Sequence, residues 1–162
     1  MGTLIRKIEI DIEERQTVLF EIERVLFTKR YKLSRVHLDI FKVQSITMMY
    51  AIWEGYIQKS FIEYINELNQ KNLDYHSLED MLLVHHIENK FKQFKLYPDK
   101  SSKKIEFYNK LKIFFQTNTV EIVNIINTQS NVSFDVLNGI LKSFCLEPFP
   151  EHWKSYKHPL PN

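Results

Sequence analysis

One carboxylate stands inside the most regular apolar pattern of this 162-residue sequence. Glu54 lies between Tyr50 and Ile57 in a stripe of residues spaced by four and three. A buried carboxylate must be paired, hydrogen-bonded or protonated, because an isolated charge in a core is very unfavourable. Two interpretations stay open: a structural acid satisfied by an arginine of the first helix or by a tyrosine hydroxyl, or an acid that lines a cleft or dimer groove.

Gly55, the residue after Glu54, is a second unusual feature of this helix. A glycine inside a helix costs about 1 kcal/mol relative to alanine and usually reflects the close approach of another element. We therefore expect a neighbouring group to contact the middle of this helix at Gly55.

A second candidate site is a cluster of lysines. Eight lysines lie between Lys90 and Lys112 against two acids, whereas all five arginines occur in the first 35 residues. The net charge of +2 is too small to indicate a nucleic-acid partner by itself. Lysines can nevertheless neutralise RNA phosphates without reading bases. The pattern fits either a solvated face or a phosphate-binding patch, and the RNA-binding candidates are Lys90, Lys92, Lys95, Lys103 and Lys104.

The sequence lacks the residue patterns of several other kinds of functional site. The adjacent His85 and His86 point about 100° apart on a helix, so they cannot both bind one metal from one face, and we expect them to be surface or core-edge residues. The single Cys145 excludes an internal disulfide and a multi-cysteine zinc site, and its apolar neighbours favour a small core residue. No glycine-rich phosphate loop, Gly-x-Ser-x-Gly elbow or HExxH motif occurs. We expect no metal and no cofactor.

Composition predicts an all-α protein. Only 3 glycines are present, fewer than the turns of a β-sandwich or a Rossmann unit normally need. The length predicts one helical domain over residues 1–146, followed by a proline-rich irregular tail over 147–162. The N-terminus lacks the apolar stretch of a signal peptide, and the apolar segment 46–57 is too short to span a bilayer. We expect a cytoplasmic protein without membrane contact.

Apolar spacing predicts five helices. The central one covers about residues 34–69, begins at the N-cap Ser34, and is expected to be enclosed by the other helices. The β-branched segment 119–126 is consistent with a helical extension or an extended arm. The inward face of the fourth helix is expected to hold Ile105, Tyr108, Leu111, Phe114 and Phe115. The other predicted helices are Leu4–Phe27, Ser77–Phe94, Lys103–Phe115 and Phe134–Phe144.

The segment Met48–Ile57, with its Ala-x-Trp-Glu-Gly-aromatic pattern, resembles the second helix of a HEPN-superfamily branch of stand-alone bacterial and cyanobacterial proteins (HEPN, higher eukaryotes and prokaryotes nucleotide-binding). Tyr64-Ile65, and Asn131-Val132-Ser133 with the helix that follows, are similar to further parts of that branch. The resemblance implies a HEPN-like bundle of about five helices around a long central helix, which forms a homodimer. In active members it implies a metal-independent endoribonuclease that serves as a toxin or in phage defence.

Activity in those members depends on an arginine and a histidine a few residues apart near a late helix. No arginine follows Arg35 here, so the later histidines cannot complete this motif. Arg30 and His37 match its spacing formally, but they lie at the start of the second helix. The later histidines, for which no arginine is available to complete the motif, are His76, His85, His86, His152 and His158.

Two functions stay open. The first is a HEPN-like domain of an endoribonuclease whose catalytic segment is degenerate, or is absent because the chain is a fragment, with Glu54 as a supporting acid. The second is a non-catalytic dimeric module that binds a partner protein, RNA or a nucleotide. The expected partners are a second copy of the chain, RNA, and an antitoxin or another protein.

Overall fold

The computed structural model describes residues 2–28, 30–116, 119–130 and 132–155. Across these residues the protein is all-α and contains no β-strand, which confirms the predicted fold class. No helix in these ranges combines the length and apolarity that crossing a bilayer needs. The helices are α1 (Gly2–Phe27), α2 (Arg35–Asn69), α3 (Asp80–Lys90), α4 (Ser101–Gln116) and α5 (Phe134–Ser143).

These residues form two compact units. The first unit contains the chain up to Tyr64 together with Thr128–Val132. The second contains Ile65–Asn127 and the chain from Ser133 onward. The limit between a helical domain over 1–146 and a tail stays a prediction. Within that tail the chain forms a 3-10 turn over Glu151–Ser155, and residues 156–162 lie outside the described residues.

The first unit is built on an antiparallel pair, α1 and the part of α2 up to Tyr64. Ser34 caps α2 as predicted, because its hydroxyl accepts a hydrogen bond from the backbone N of His37 at 3.2 Å. Ion pairs then join early positions of α1 to late positions of α2. They are Lys7–Glu63 at 2.7 Å and Asp11–Lys59 at 2.8 Å. This register places the middle of α2 against the middle of α1.

The apolar stripe of α2 is covered only in its second half. Ile57 and Phe61 are buried there, and Tyr64 and Leu68 are half-buried. In the first half four apolar members of the stripe stay exposed, so the expectation of an enclosed helix is wrong there. The reason is that α1 is the only other helix in the described part of this unit, and one helix covers only one side of another. These exposed residues, here called the exposed stripe, are Val36, Ile40, Val43 and Tyr50.

The second unit has an aromatic core between α3 and α4. Phe91, Phe107 and Phe114 are buried, and Phe91 packs edge-on against the other two at centroid distances of 6.1 and 5.6 Å. The prediction for the inward face of α4 is partly wrong, because Ile105, Tyr108 and Phe115 are exposed and Phe107 lies inside. The buried residues of α4 are those that pack in the aromatic core, and they do not coincide with the most apolar stripe of its sequence.

The third helix begins later and ends earlier than predicted. Ser77 belongs to a separate 3-10 turn, Tyr75–Ser77, which Asp74 caps by accepting a hydrogen bond from the backbone N of Ser77 at 2.8 Å. α3 itself starts at Asp80 and stops at Lys90, and a second 3-10 turn follows over Lys92–Phe94.

The ambiguous segment is an extended arm, residues 119–127, without regular secondary structure. Val120 N donates to Leu73 O at 3.0 Å. The Asn69 amide donates to Ile122 O at 2.9 Å and accepts from Ile122 N at 2.8 Å. Val120 and Ile122 are buried, so the arm packs with its backbone satisfied by groups of the second unit.

The end of α5 corrects the expectation for the cysteine. Leu146 N donates to Leu141 O at 2.9 Å, and Cys145 adopts a φ of 56°. This is the left-handed turn that commonly ends a helix, and it leaves Cys145 exposed rather than in the core. Phe144, the preceding residue, is buried instead. α5 begins at Phe134 as predicted, and Ser133 caps it, while Asn131 lies outside the described residues.

Candidate functional site

Glu54 lies in a polar cluster of the first unit, here called the Glu54 cluster, formed by Trp53, Glu54 and Gln58 of α2 with Thr128 and Val132. The buried Thr128 hydroxyl donates to the Glu54 carboxylate and accepts from Gln58 Nε2, the latter at 3.2 Å. The partner within the described residues is therefore a threonine, not the arginine or tyrosine that the sequence suggested. The carboxylate of Glu54 is fixed in orientation by this chain of hydrogen bonds.

The segment that carries Thr128 is held at both ends. Trp53 Nε1 donates to Val132 O at 3.0 Å, four residues after the threonine. Between these two anchors the chain reverses through Gln129 and Ser130, with φ values of 54° and 59°. Each left-handed residue other than glycine costs roughly 1–2 kcal/mol, so the anchors must hold the turn against that cost.

A cavity of about 220 Å³ adjoins the carboxylate, lined by Tyr50, Glu54, Ser130 and Val132. The Glu54 carboxylate is therefore hydrogen-bonded within the chain and also lines a cavity. The lining offers one carboxylate and two hydroxyls but no cationic side chain. Such a site can accept hydrogen bonds or a proton from a ligand, yet it supplies no positive charge to stabilise a phosphate.

The group that approaches Gly55 is the guanidinium of Arg15. Arg15 donates to Asp11 at 2.6 Å through Nε and to Ile52 O at 2.7 Å through Nη1. A Cβ added to Gly55 would lie 3.0 Å from Nη1, so the expected close approach is confirmed. Burial opposes ionisation of Asp11, but hydrogen bonds from Arg15 and Lys59 outweigh it and lower the pKa of that carboxyl.

His85 and His86 anchor the arm in the second unit. His85 Nε2 donates to Val123 O at 3.2 Å, and His86 Nδ1 accepts from Val123 N at 3.2 Å. His86 is completely buried and stacks on Phe114 at 5.3 Å, so it is not the surface or core-edge residue expected. Burial, with the nearby charges of Lys90 and His85, lowers the pKa of His86 to about 4, and burial also lowers that of His85.

The predicted RNA-binding lysines divide into two groups. Lys90 and Lys92 line a cleft of about 510 Å³ in the second unit, here called the lysine cleft, and Lys110 joins them. Lys103 instead pairs with Glu106 at 2.7 Å, and Lys104 lies 5.3 Å from the ring centroid of Tyr97. Lys95 is exposed. The lining of the lysine cleft includes Lys90, Lys92, Gln93, Lys110, Ile113 and Val120.

Comparison with known protein families identifies the family of this chain. Residues 16–149 match the family described as RiboL-PSP-HEPN. The chain belongs to the RiboL-PSP-HEPN family. The match spans α2 with Glu54, the arm and α5, and it confirms the HEPN-superfamily membership indicated by Met48–Ile57. No curated protein and no solved structure matched the chain.

In this HEPN chain Arg30 and His37 are both exposed, and within the described residues no hydrogen bond or ion pair joins them. In the same part of the chain, no three His, Cys, Asp or Glu side chains come close enough to hold a metal ion. The surroundings of His85 and His86 explain these two histidines as neutral structural groups.

Sequence reasoning missed Thr128 and the Asp11–Lys59 pair of this HEPN chain. Asp11 and Arg15 are spaced as a helical ion pair, a signal that was available. Thr128 lies 74 residues from Glu54 and follows an arm without periodic pattern, so no local signal marks it.

The close approach at Gly55 predicts a coupled response to two substitutions. In an Arg15→Met background, Gly55→Ala should stabilise the protein by roughly 1 kcal/mol through helix propensity. With Arg15 present the gain should vanish or reverse, because the new methyl displaces the guanidinium from Ile52 O. Urea denaturation of the four variants measures the coupling. An equal gain in both backgrounds would contradict the assigned contact.

The histidine anchors predict a loss of stability in acid. Between pH about 6.5 and about 4 the unfolded chain binds a proton at His86 that the folded chain excludes. Stability should therefore fall as the pH drops through this window, by up to roughly 3 kcal/mol. His86→Asn, whose amide oxygen can still accept from Val123 N, should flatten the dependence measured by urea denaturation, and His37→Gln at an exposed site should not. A profile unchanged by His86→Asn would rule out this anchor.

Proposed function

We propose that this HEPN protein is the RNA-binding part of a metal-independent endoribonuclease of the toxin or phage-defence type. The observation that carries the proposal is the lysine cleft, where three lysines face one concavity and no lining residue is acidic. Lysines in this arrangement neutralise phosphates at any base sequence. RNA is the polyanion we assign because the family is ribonuclease-like.

Glu54 is proposed as a supporting acid in this protein. Its carboxylate is oriented by Thr128 and faces a cavity, as a group that takes a proton from a 2′-hydroxyl must be. The cavity lining provides no cation for the phosphate, so Glu54 cannot carry the reaction alone. We therefore assign Glu54 an auxiliary role in cleavage and no role in RNA affinity.

We further propose that the active form is a homodimer formed through the exposed stripe. Val36 and Val43 are 66% and 67% exposed, and on α1 Phe20 and Phe27 are 61% and 79% exposed. Apolar patches of this kind mark interaction surfaces. The four-three spacing of the stripe is that of a seam between two packed helices, which supports a second copy of α2 as the occupant.

The alternative is a non-catalytic HEPN module that binds RNA, a nucleotide or a partner protein such as an antitoxin. The absence of a cation in the lining of the Glu54 cavity favours this alternative.

RNA binding is tested by fluorescence anisotropy with a labelled structured RNA. The affinity should fall steeply with rising salt, and Lys92→Gln/Lys110→Gln should lower it about tenfold more than the control Lys32→Gln/Lys42→Gln. Gel analysis of the same samples, with EDTA added, reports cleavage. Absence of binding at low salt would refute the proposal. If the RNA is cut and Glu54→Gln does not slow cutting, Glu54 has no supporting role.

Dimer formation is tested by light scattering over a concentration series. The native chain should reach twice its 19.6 kDa mass. Val43→Asp should weaken the dimer by about a hundredfold or more, because it buries a carboxylate in the proposed seam. The control Val84→Asp changes an exposed valine of α3 and should leave the dimer intact. A native chain that stays monomeric at every concentration would exclude the dimer.

A further inference from the structure

We propose that the lysine cleft is a binding site for one nucleotide unit, with the phosphate on the lysines and the base against the apolar wall. The inference rests on the proposed RNA function where the nucleotide belongs to an RNA strand. A free mononucleotide presents the same chemistry, and the experiment below separates the two sources.

The size of the lysine cleft exceeds what a bare phosphate needs. Its volume of about 510 Å³ lies within the roughly 300–1,000 Å³ typical of small-molecule sites. Such sites combine mostly apolar walls with a few convergent polar groups. A ligand that fills this cleft must therefore present an apolar surface as well as a charge.

The charge in the lysine cleft is available to a ligand. Lys90 ends α3, Lys92 follows in the 3-10 turn and Lys110 projects from α4, so three separate positions converge. The side chain of Lys92 makes no ion pair or hydrogen bond with any residue in the described ranges. Lys110 pairs with Glu106 at 2.9 Å, but both side chains are about half exposed. Exposed pairs contribute about 0–1 kcal/mol, so a phosphate can replace Glu106 at small cost.

The walls suit a planar base. Ile113 is 65% exposed although it lies beside the buried Phe91 and Phe114, and Val120 completes an apolar side. A base covering Ile113 removes this apolar area from water. Gln93, in the lining of the same cleft, carries both a donor and an acceptor for a base edge.

The cleft is preorganised by backbone hydrogen bonds. Phe91 N donates to Ile87 O at 2.8 Å, and Val120 N donates to Leu73 O at 3.0 Å. These bonds fix the two backbone segments on which the apolar walls stand. Little ordering is then needed when a ligand binds, which favours affinity.

The test uses isothermal titration of the full chain with 5′-AMP, adenosine, inorganic phosphate and a short single-stranded RNA. We expect AMP to bind at least about tenfold more tightly than adenosine or phosphate, since it engages both the lysines and the wall. Lys92→Gln/Lys110→Gln should weaken AMP binding about tenfold or more. The control Lys32→Gln/Lys42→Gln removes the same charge elsewhere and should have no effect.

A second variant probes the wall independently of charge. Ile113→Trp projects from an exposed position into the cleft, so it should leave the urea midpoint nearly unchanged and reduce AMP binding. Unchanged AMP binding in both cleft variants would overturn the proposal, as would phosphate binding as tight as AMP binding. RNA binding that weakens in parallel with AMP binding assigns the nucleotide to a strand. RNA binding that persists while AMP binding is lost assigns the cleft to a free nucleotide.

These outcomes are separable from the fate of the proposed function. If the native chain binds RNA but not AMP, the cleft assignment fails and the RNA-binding proposal stands. If it binds AMP but not RNA, the cleft assignment stands and the RNA-binding proposal fails.

Discussion

The structure depends on one constraint: the apolar stripe of α2 is longer than the part of it that the rest of the same chain covers. α2 runs for 35 residues, and its stripe continues from Val36 to Leu68. In its second half Ile57 and Phe61 are buried and Tyr64 and Leu68 half-buried, whereas the four residues of the exposed stripe lie in its first half. Exposed apolar surface of this extent marks a place where another chain binds. We propose that a second copy covers it, because the spacing matches that of two helices packed on each other.

The middle of α2 carries the candidate functional group, Glu54, together with the contacts that hold neighbouring segments to this helix. Arg15 approaches one side at Gly55, and the Trp53 and Thr128 hydrogen bonds fix the Glu54 side. The lysine cleft belongs to the second unit and is built on a separate aromatic core, so acid and cations are supplied by different parts of the chain.

Features set by neighbouring residues could be predicted from sequence. The cap Ser34 and the extent of α2 followed from local spacing and hydrogen-bonding chemistry. Long-range contacts could not be predicted, as Thr128 shows, because 74 residues separate it from Glu54 and no local pattern marks it. Periodicity identified the apolar stripe but could not tell whether the same chain covers it. Cys145 was misplaced because the left-handed turn after α5 carries no glycine to mark it.

Hydrogen exchange measured at decreasing protein concentration tests the central claim most directly. If a second copy covers the exposed stripe, dilution should speed the exchange of α2 amides between Val36 and Tyr50 as the dimer dissociates. Amides between Ile57 and Leu68, which the single chain already protects by packing, should keep their rates. Exchange between Val36 and Tyr50 that is independent of concentration would contradict the account.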